Sequence, residues 1–176
     1  MHTASQLTLI TQGPPKRFTI ALSDGRRDRY GRKPVADLLD GSSRYFLSMS
    51  QANVEVIRRL FDTYRRGEYA EAAACLAAHV VYEVGQELPA RGREEVRAMW
   101  ERWDGTWDEL ETVPEELIDA GQQVLVTVRY SARGRGSGIK YEERLFDVYT
   151  MSDGQCVHKQ EFRERSEALE AAGLDR

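Results

Sequence analysis

Cysteine and histidine are scarce in this 176-residue chain: two of the first, Cys75 and Cys156, and three of the second. Two thiols so far apart in sequence do not define a disulfide framework, and free, partly buried thiols in a reducing compartment are expected. His2, His79 and His158 show no His-x-x-x-His spacing, so no metal and no cofactor are expected. No apolar run approaches the roughly 18 residues that a membrane span needs. The opening Met1-His2-Thr3-Ala4-Ser5 lacks a basic head followed by an apolar block, so a cytoplasmic location without a secretory signal is expected. The glycines around Arg133 and Arg135 do not follow a strand and open a helix, which excludes a nucleotide loop and leaves a solvated hairpin tip. An excess of positive charge is missing where the folded part should lie. Residues 1–48 carry a net charge of +4 and residues 49–176 carry −8, which argues against a nucleic-acid partner.

What is present is a globular composition, 41% hydrophobic and 31% charged, enough for one ordinary domain. Residues 1–48 read differently from the rest. Gly13-Pro14-Pro15-Lys16-Arg17 is a breaker cluster, and the segment from Ser23 to Pro34 is polar and punctuated by glycine and proline. This part is expected to be a flexible or disordered N-terminal extension, with Met49 as the natural beginning of the folded domain, 49–176. From Ser50 the pattern is regular. Ile57, Leu60, Phe61 and Tyr64 lie at helical spacing, with Ser50 or Asn53 as cap and Gly67 as stop. A short Ala-rich helix over 68–76, a strand over 80–84 and a third helix over 94–103 follow. Val96, Met99, Trp100 and Trp103 form the stripe of that third helix, and Trp107 extends it. Strands are then expected over 109–118 (bulged or at an edge because of Pro114), 124–130, 140–151 and 155–164. A terminal helix over 167–172 is capped by Ser166 and stopped by Gly173. Three helices followed by an antiparallel meander make an α+β fold. A curved antiparallel sheet with helices against one face forms a cup, whose interior suits a small apolar molecule.

One residue breaks the apolar pattern. Asp147 lies inside Leu145-Phe146-Asp147-Val148-Tyr149-Thr150-Met151, and a carboxylate there must be solvated, paired or kept neutral. It reads either as an acid or base in the cup, or as a structural carboxylate paired with Arg129, Arg144 or His158. Strand parity puts Asp147 on one face with Tyr149 and Glu143, and so away from Arg144. Glu83, at a strand end, is a second candidate carboxylate or a solvated rim charge. Tyr82, Trp100, Trp103, Trp107, Tyr149 and Phe162 are core aromatics that can equally line a ligand site. Cys156 and His158 share a strand face, an arrangement poorly suited to nucleophilic catalysis.

Three segments also carry a resemblance: Asn53 to Phe61 ending at Arg66-Gly67-Glu68; Leu88-Pro89-Ala90-Arg91-Gly92-Arg93-Glu94-Glu95-Val96; and Asp147 to Gly154 followed by Arg165 to Leu174. In this order they resemble the nuclear transport factor 2-like superfamily and, within it, SnoaL-like and ketosteroid-isomerase-like bacterial proteins, over residues 50–174. The resemblance implies a cone-shaped, strongly curved antiparallel sheet packed against three helices, and a homodimer through the outer sheet face. It does not imply one reaction, because the fold hosts isomerases, cyclases, dehydratases, epoxide hydrolases and non-catalytic binding domains. Carried over by position, Glu83 falls at the isomerases' general base and Asp147 at their protonated carboxylic acid. Leu60 stands where their first-helix tyrosine would be, which speaks against steroid isomerisation. Asp147, Arg129 and Glu83 could imitate the hydrolases' carboxylate–arginine–carboxylate set. The function expected is binding of an apolar or polyketide-like molecule, with cofactor-free proton transfer by Asp147 and Glu83. The alternatives are a non-catalytic binding or dimerisation domain and an epoxide-hydrolase-like enzyme.

Overall fold

The computed structural model describes the backbone of residues 7–9, 16–18 and 41–174, and side chains from Ser50 to Leu174. The chain divides into two compact units, Met1–Ser48 and Met49–Arg176. In the first, β1 (Leu7–Leu9) pairs antiparallel with β2 (Lys16–Phe18). The remainder of the expected flexible extension, up to residue 40, lies outside the described residues.

Helix α1 runs from Gly41 to Arg65, so neither Ser50 nor Asn53 caps its start. Asn53 lies within the helix, where its side-chain amide donates to the carbonyl of Gly121 at 3.0 Å and ties α1 to a strand turn. α2 (Tyr69–Ala74), β3 (Leu76–Tyr82), the two-residue β4 (Ala90–Arg91) and α3 (Arg93–Thr106) follow. Gly92 opens α3 at φ 90, a left-handed conformation that glycine adopts without strain. A Cβ there would sit 3.3 Å from the carbonyl oxygen of Ala78. Then come the long strands β5 (Trp107–Ala120), β6 (Gln123–Gly134), β7 (Lys140–Ser152) and β8 (Gln155–Phe162), and the helix α4 (Arg165–Ala171). Trp107 is thus the first residue of β5 and does not prolong the helix. Glu164, not Ser166, occupies the N-cap position of α4.

The six-stranded sheet has the order β4-β3-β8-β7-β6-β5. Its pairs are antiparallel except β3 with β8. Pro114 lies on the edge strand β5, beside a register shift between Pro114 and Glu116, as a residue without an N–H requires. Period-two alternation separates two faces. On the inner face Val124, Val126, Val128, Tyr149 and Met151 meet Ile57, Leu60 and Phe61 of α1 and Val96, Met99 and Trp100 of α3. On the outer face Leu125 and Val148 pack with Ala168 of α4 and with Ala172, its C-cap. The fold is therefore α+β, a curved and mostly antiparallel sheet with α1 and α3 on its inner side and α4 on its outer side.

Candidate functional site

Helices and sheet do not close completely. Between them lies a cavity of about 260 Å3, close to the lower end of the roughly 300–1,000 Å3 typical of ligand sites. Its walls are aromatic. α1 supplies Phe61 and Tyr64, α3 supplies Trp100 and Trp103, and β3 and β6 supply Tyr82 and Tyr130. Edge-to-face contacts fix these rings: Tyr64 and Tyr82 lie 5.4 and 5.7 Å from Trp100, and Phe61 lies 6.1 Å from Tyr149. The mouth is formed by the loop after β3 (Val84 to Glu87) together with Trp103, Trp107 and Tyr141.

The floor is polar. Cross-strand register sets Tyr149 opposite Lys159 and Asp147 opposite Glu161, so these four side chains share the inner face. Lys159 is 1% exposed and Asp147 fully buried. The Lys159 ammonium has three oxygen neighbours: Asp147 Oδ1 at 2.9 Å, Glu161 Oε2 at 3.1 Å and the Glu83 carbonyl at 3.3 Å. It also lies 5.1 Å from the centre of the Tyr82 ring, over its face. Tyr149 donates to Asp147 Oδ2 at 3.2 Å. Asp147 Oδ1 is in ion-pair range of Lys159 but accepts no aligned hydrogen bond.

Burial dominates the electrostatics of this floor. It pushes the Asp147 carboxyl above the usual range, Lys159 opposes that rise, and Glu161 adds to it. For Lys159 burial works to lower the pKa, but the charges of Asp147, Tyr82 and Glu161 outweigh it and hold the amine above its ordinary value. Burial lifts the hydroxyls of Tyr82, Tyr130 and Tyr149 well clear of neutrality, so they stay protonated donors. Tyr64 is pushed up to about 12, by burial first and Asp104 second.

The residues picked out in the sequence separate into groups. Tyr82, Trp100, Trp103 and Tyr149 all line the cavity. Asp147 is on the inner face with Tyr149, as parity required, but it lies beneath the floor and does not line the cavity. Its partner is Lys159, and not Arg129, Arg144 or His158. Glu83 is no second carboxylate of the cup: its Oε1 lies 2.9 Å from His158 Nε2, and only its backbone carbonyl reaches Lys159. Arg129 is on the outer face, paired with Glu111 and Glu115, because it alternates with the inward Val128 and Tyr130. Phe162 packs in the outer cluster beside α4. The carboxylate–arginine–carboxylate set of a hydrolase is therefore not assembled from Asp147, Arg129 and Glu83. Nothing in the local sequence singles out Lys159 and Glu161. A lone Lys and Glu in a polar strand read as solvated, and only the register with β7 sets them beside Asp147. Among the described residues no group of three or more His, Cys, Asp or Glu could hold a metal ion. No helix among them is long and apolar enough to cross a membrane.

The SnoaL-like domain model matches residues 57–159. No curated protein matches the chain. Solved structures with the same fold include an NTF2-like protein of Burkholderia thailandensis, 24% identical, covering 69% of this chain and 95% of its own, with TM-score 0.60. A protein with a ketosteroid isomerase-like fold from Catenulispora acidiphila, solved in complex with trimethylamine, is 16% identical over 69% of this chain and 94% of its own, with TM-score 0.58. An LEH-like epoxide hydrolase of M. tuberculosis is 13% identical over 69% of this chain and 90% of its own, with TM-score 0.56. At these identities the likeness is one of fold.

Proposed function

The chain belongs to the SnoaL-like domain family, and from that premise we propose that its aromatic cavity takes a small, largely apolar molecule and moves a proton on it without a cofactor. The observation that carries this reading is the ion cluster Asp147–Lys159–Glu161 on the floor of an otherwise apolar cavity. Buried ion pairs add little to stability compared with well-packed apolar side chains. Ionisable groups gathered in a cleft are a mark of functional sites. Glu161 is the member of the cluster whose carboxylate both lines the cavity and has an oxygen, Oε1, that Lys159 does not take. Asp147 and the Glu83 carbonyl act behind it as positioning groups, because they hold Lys159 and Lys159 holds Glu161.

In the proposed step the Glu161 carboxylate removes a proton from a carbon next to an electron-withdrawing group. The C–H electron pair passes into the conjugated system, and Tyr82 or Tyr130 donates a hydrogen bond to the oxygen where the charge collects. The carboxyl then returns the proton to another atom of the molecule, and the net change is an isomerisation. Cyclisation and dehydration share the first half of this sequence. A second reading, binding without turnover, is favoured by the ion cluster itself, since the Lys159 ammonium is already engaged by Asp147, Glu161 and the Glu83 carbonyl. The two readings separate in D2O. Deuterium entry next to the carbonyl of a small aryl ketone, followed by NMR, should be accelerated by the wild type and fall by about 10²–10⁴ in Glu161→Gln. Tight binding without exchange in either protein supports the carrier reading instead.

We further propose a homodimer through the outer sheet face. Its surface away from α4 carries a charge network in which Glu115 pairs with Arg129 and Arg144 at 3.2 and 2.8 Å. The two free cysteines support a reducing, cytosolic setting.

A further inference from the structure

Nine of the residues lining the cavity are aromatic, and the face of an aromatic ring carries partial negative charge. One such face already holds a cation: the Lys159 ammonium lies 5.1 Å from the centre of the Tyr82 ring. At the mouth three more rings form a stack. Trp107 is in the middle, near-parallel to Trp103 at 5.6 Å and 22° and to Tyr141 at 6.3 Å and 20°. Trp103 is 36% exposed and Tyr141 41%, so ring surface stays open to a guest at the mouth.

Carboxylates outnumber cations around these rings. Glu87, Glu143 and Glu161 line the cavity and Asp147 lies beneath it, against two cations, Lys159 and Arg163. Lys159 is taken by Asp147 and Glu161 on the floor. Arg163 pairs with Glu143 at 3.4 Å, but its side chain is 79% exposed, so it holds Glu143 weakly. Glu87 sits on the mouth loop, and its carboxylate has no ion-pair or hydrogen-bond partner among the described residues. Whether Asp147 is ionised or protonated, the Glu87 charge is left over. A cleft with low-dielectric walls focuses such an excess on whatever enters it. An anion meets like charge there, and a neutral molecule gains nothing from the field.

We propose that the molecule this cavity takes is an organic cation: a small apolar compound bearing an ammonium group, which stays at the mouth against the rings of Trp103 and Tyr141 and the carboxylates of Glu87 and Glu143 while the apolar part enters. This rests on the cavity being the ligand site, as the proton-transfer reading requires. Three probes of nearly the same shape differ in charge: phenyltrimethylammonium (cation), tert-butylbenzene (neutral) and benzenesulfonate (anion). None has a carbonyl group, so the result is read from binding alone and is distinguishable from failure of deuterium exchange. Dissociation constants follow from fluorescence titration, since all three tryptophans of the chain line the cavity. The wild type should bind phenyltrimethylammonium about 3- to 30-fold more tightly than tert-butylbenzene, the range of a cation–π contact from exposed to desolvated. Benzenesulfonate should bind most weakly. Equal or tighter binding of either other probe overturns the proposal, as does no binding of the cation up to 10-fold above the solubility limit of tert-butylbenzene. Two variants separate charge from ring. Glu87→Lys reverses the unpaired charge and should weaken phenyltrimethylammonium by about 5-fold while leaving tert-butylbenzene unchanged. Trp103→Leu keeps an apolar side chain and removes a ring face, and it should weaken the cation more than its neutral isostere. Loss of the two probes in equal measure in both variants overturns the proposal.

Discussion

Lys159 gathers the ionic contacts of the inner sheet face at one side chain. It is the buried cation between two carboxylates, and its removal strands both. Lys159→Met should destabilise the fold by about 3 kcal/mol, because an unpaired buried charge is left behind. The double variant Asp147→Leu/Lys159→Met should recover part of that loss, since one of the stranded charges is gone; urea unfolding of both variants measures the difference. The pH dependence has a definite sign. The Asp147 carboxyl is raised in the folded state, first by burial, so the native protein holds this proton longer than the unfolded chain. Its contribution is fully present below the unfolded carboxyl value of about 3.9 and is lost as pH rises through the folded value. The exposed Glu115, lowered chiefly by its hydrogen bond to Arg144, works in the opposite direction. The slope difference between wild type and Asp147→Asn isolates Asp147: on raising pH from 4, the midpoint of urea unfolding should fall less steeply in the variant. An identical slope refutes the assignment.

At the scale of elements, the site depends on joints between helices and sheet. Asn53 is 6% exposed and links α1 to the turn between β5 and β6 through the Gly121 carbonyl. Asn53→Ala should cost about 1 kcal/mol, measured by denaturant unfolding. Gly92 joins β4 to α3 at φ 90, with the Ala78 carbonyl where a methyl group would go. Gly92→Ala should destabilise by more than about 1 kcal/mol and disturb the helix that carries Trp100 and Trp103. Cys75 and Cys156 lie where α2 and β3 meet β8, with the Cys156 N–H donating to the Cys75 carbonyl at 2.9 Å. Both are buried, and burial pushes the Cys156 thiol up to about 12. A thiol reagent at neutral pH should leave both untouched in native protein and react with two groups after unfolding.

At the scale of the whole molecule, two proposals await solution measurements. Sedimentation at micromolar concentration should give twice the chain mass of 20.1 kDa for the proposed homodimer; the chain mass itself refutes it. A protein starting at Met49 should melt within about 4 °C of the full chain if residues 49–176 carry the stability. A larger loss assigns the first 48 residues a structural part.

Composition, helical spacing and period-two alternation were enough to read the α+β class, the order of the main helices and strands, the bulge at Pro114 and the aromatic wall of Tyr82, Trp100, Trp103 and Tyr149. These follow from local periodicity and burial, which are written along the chain. The start of α1 was not legible: Ser50 and Asn53 look like caps, and a side chain that bonds a turn 68 residues away looks no different. The buried ion cluster was half legible. Asp147 stands out because a carboxylate interrupts an apolar strand, whereas Lys159 and Glu161 look like ordinary solvent-facing residues. Glu83 and Arg129 carry the right charges but point elsewhere, to His158 and to the outer face. Local pattern fixes which face of its own strand a residue takes. The pairing of β7 with β8 is already implied by the meander, but which residues of β8 stand beside Asp147 is fixed by the register. Only the tertiary structure shows its shift between Thr150 and Met151, which sets Lys159 opposite Tyr149 and Glu161 opposite Asp147 and turns a lone carboxylate into the anchor of a buried lysine.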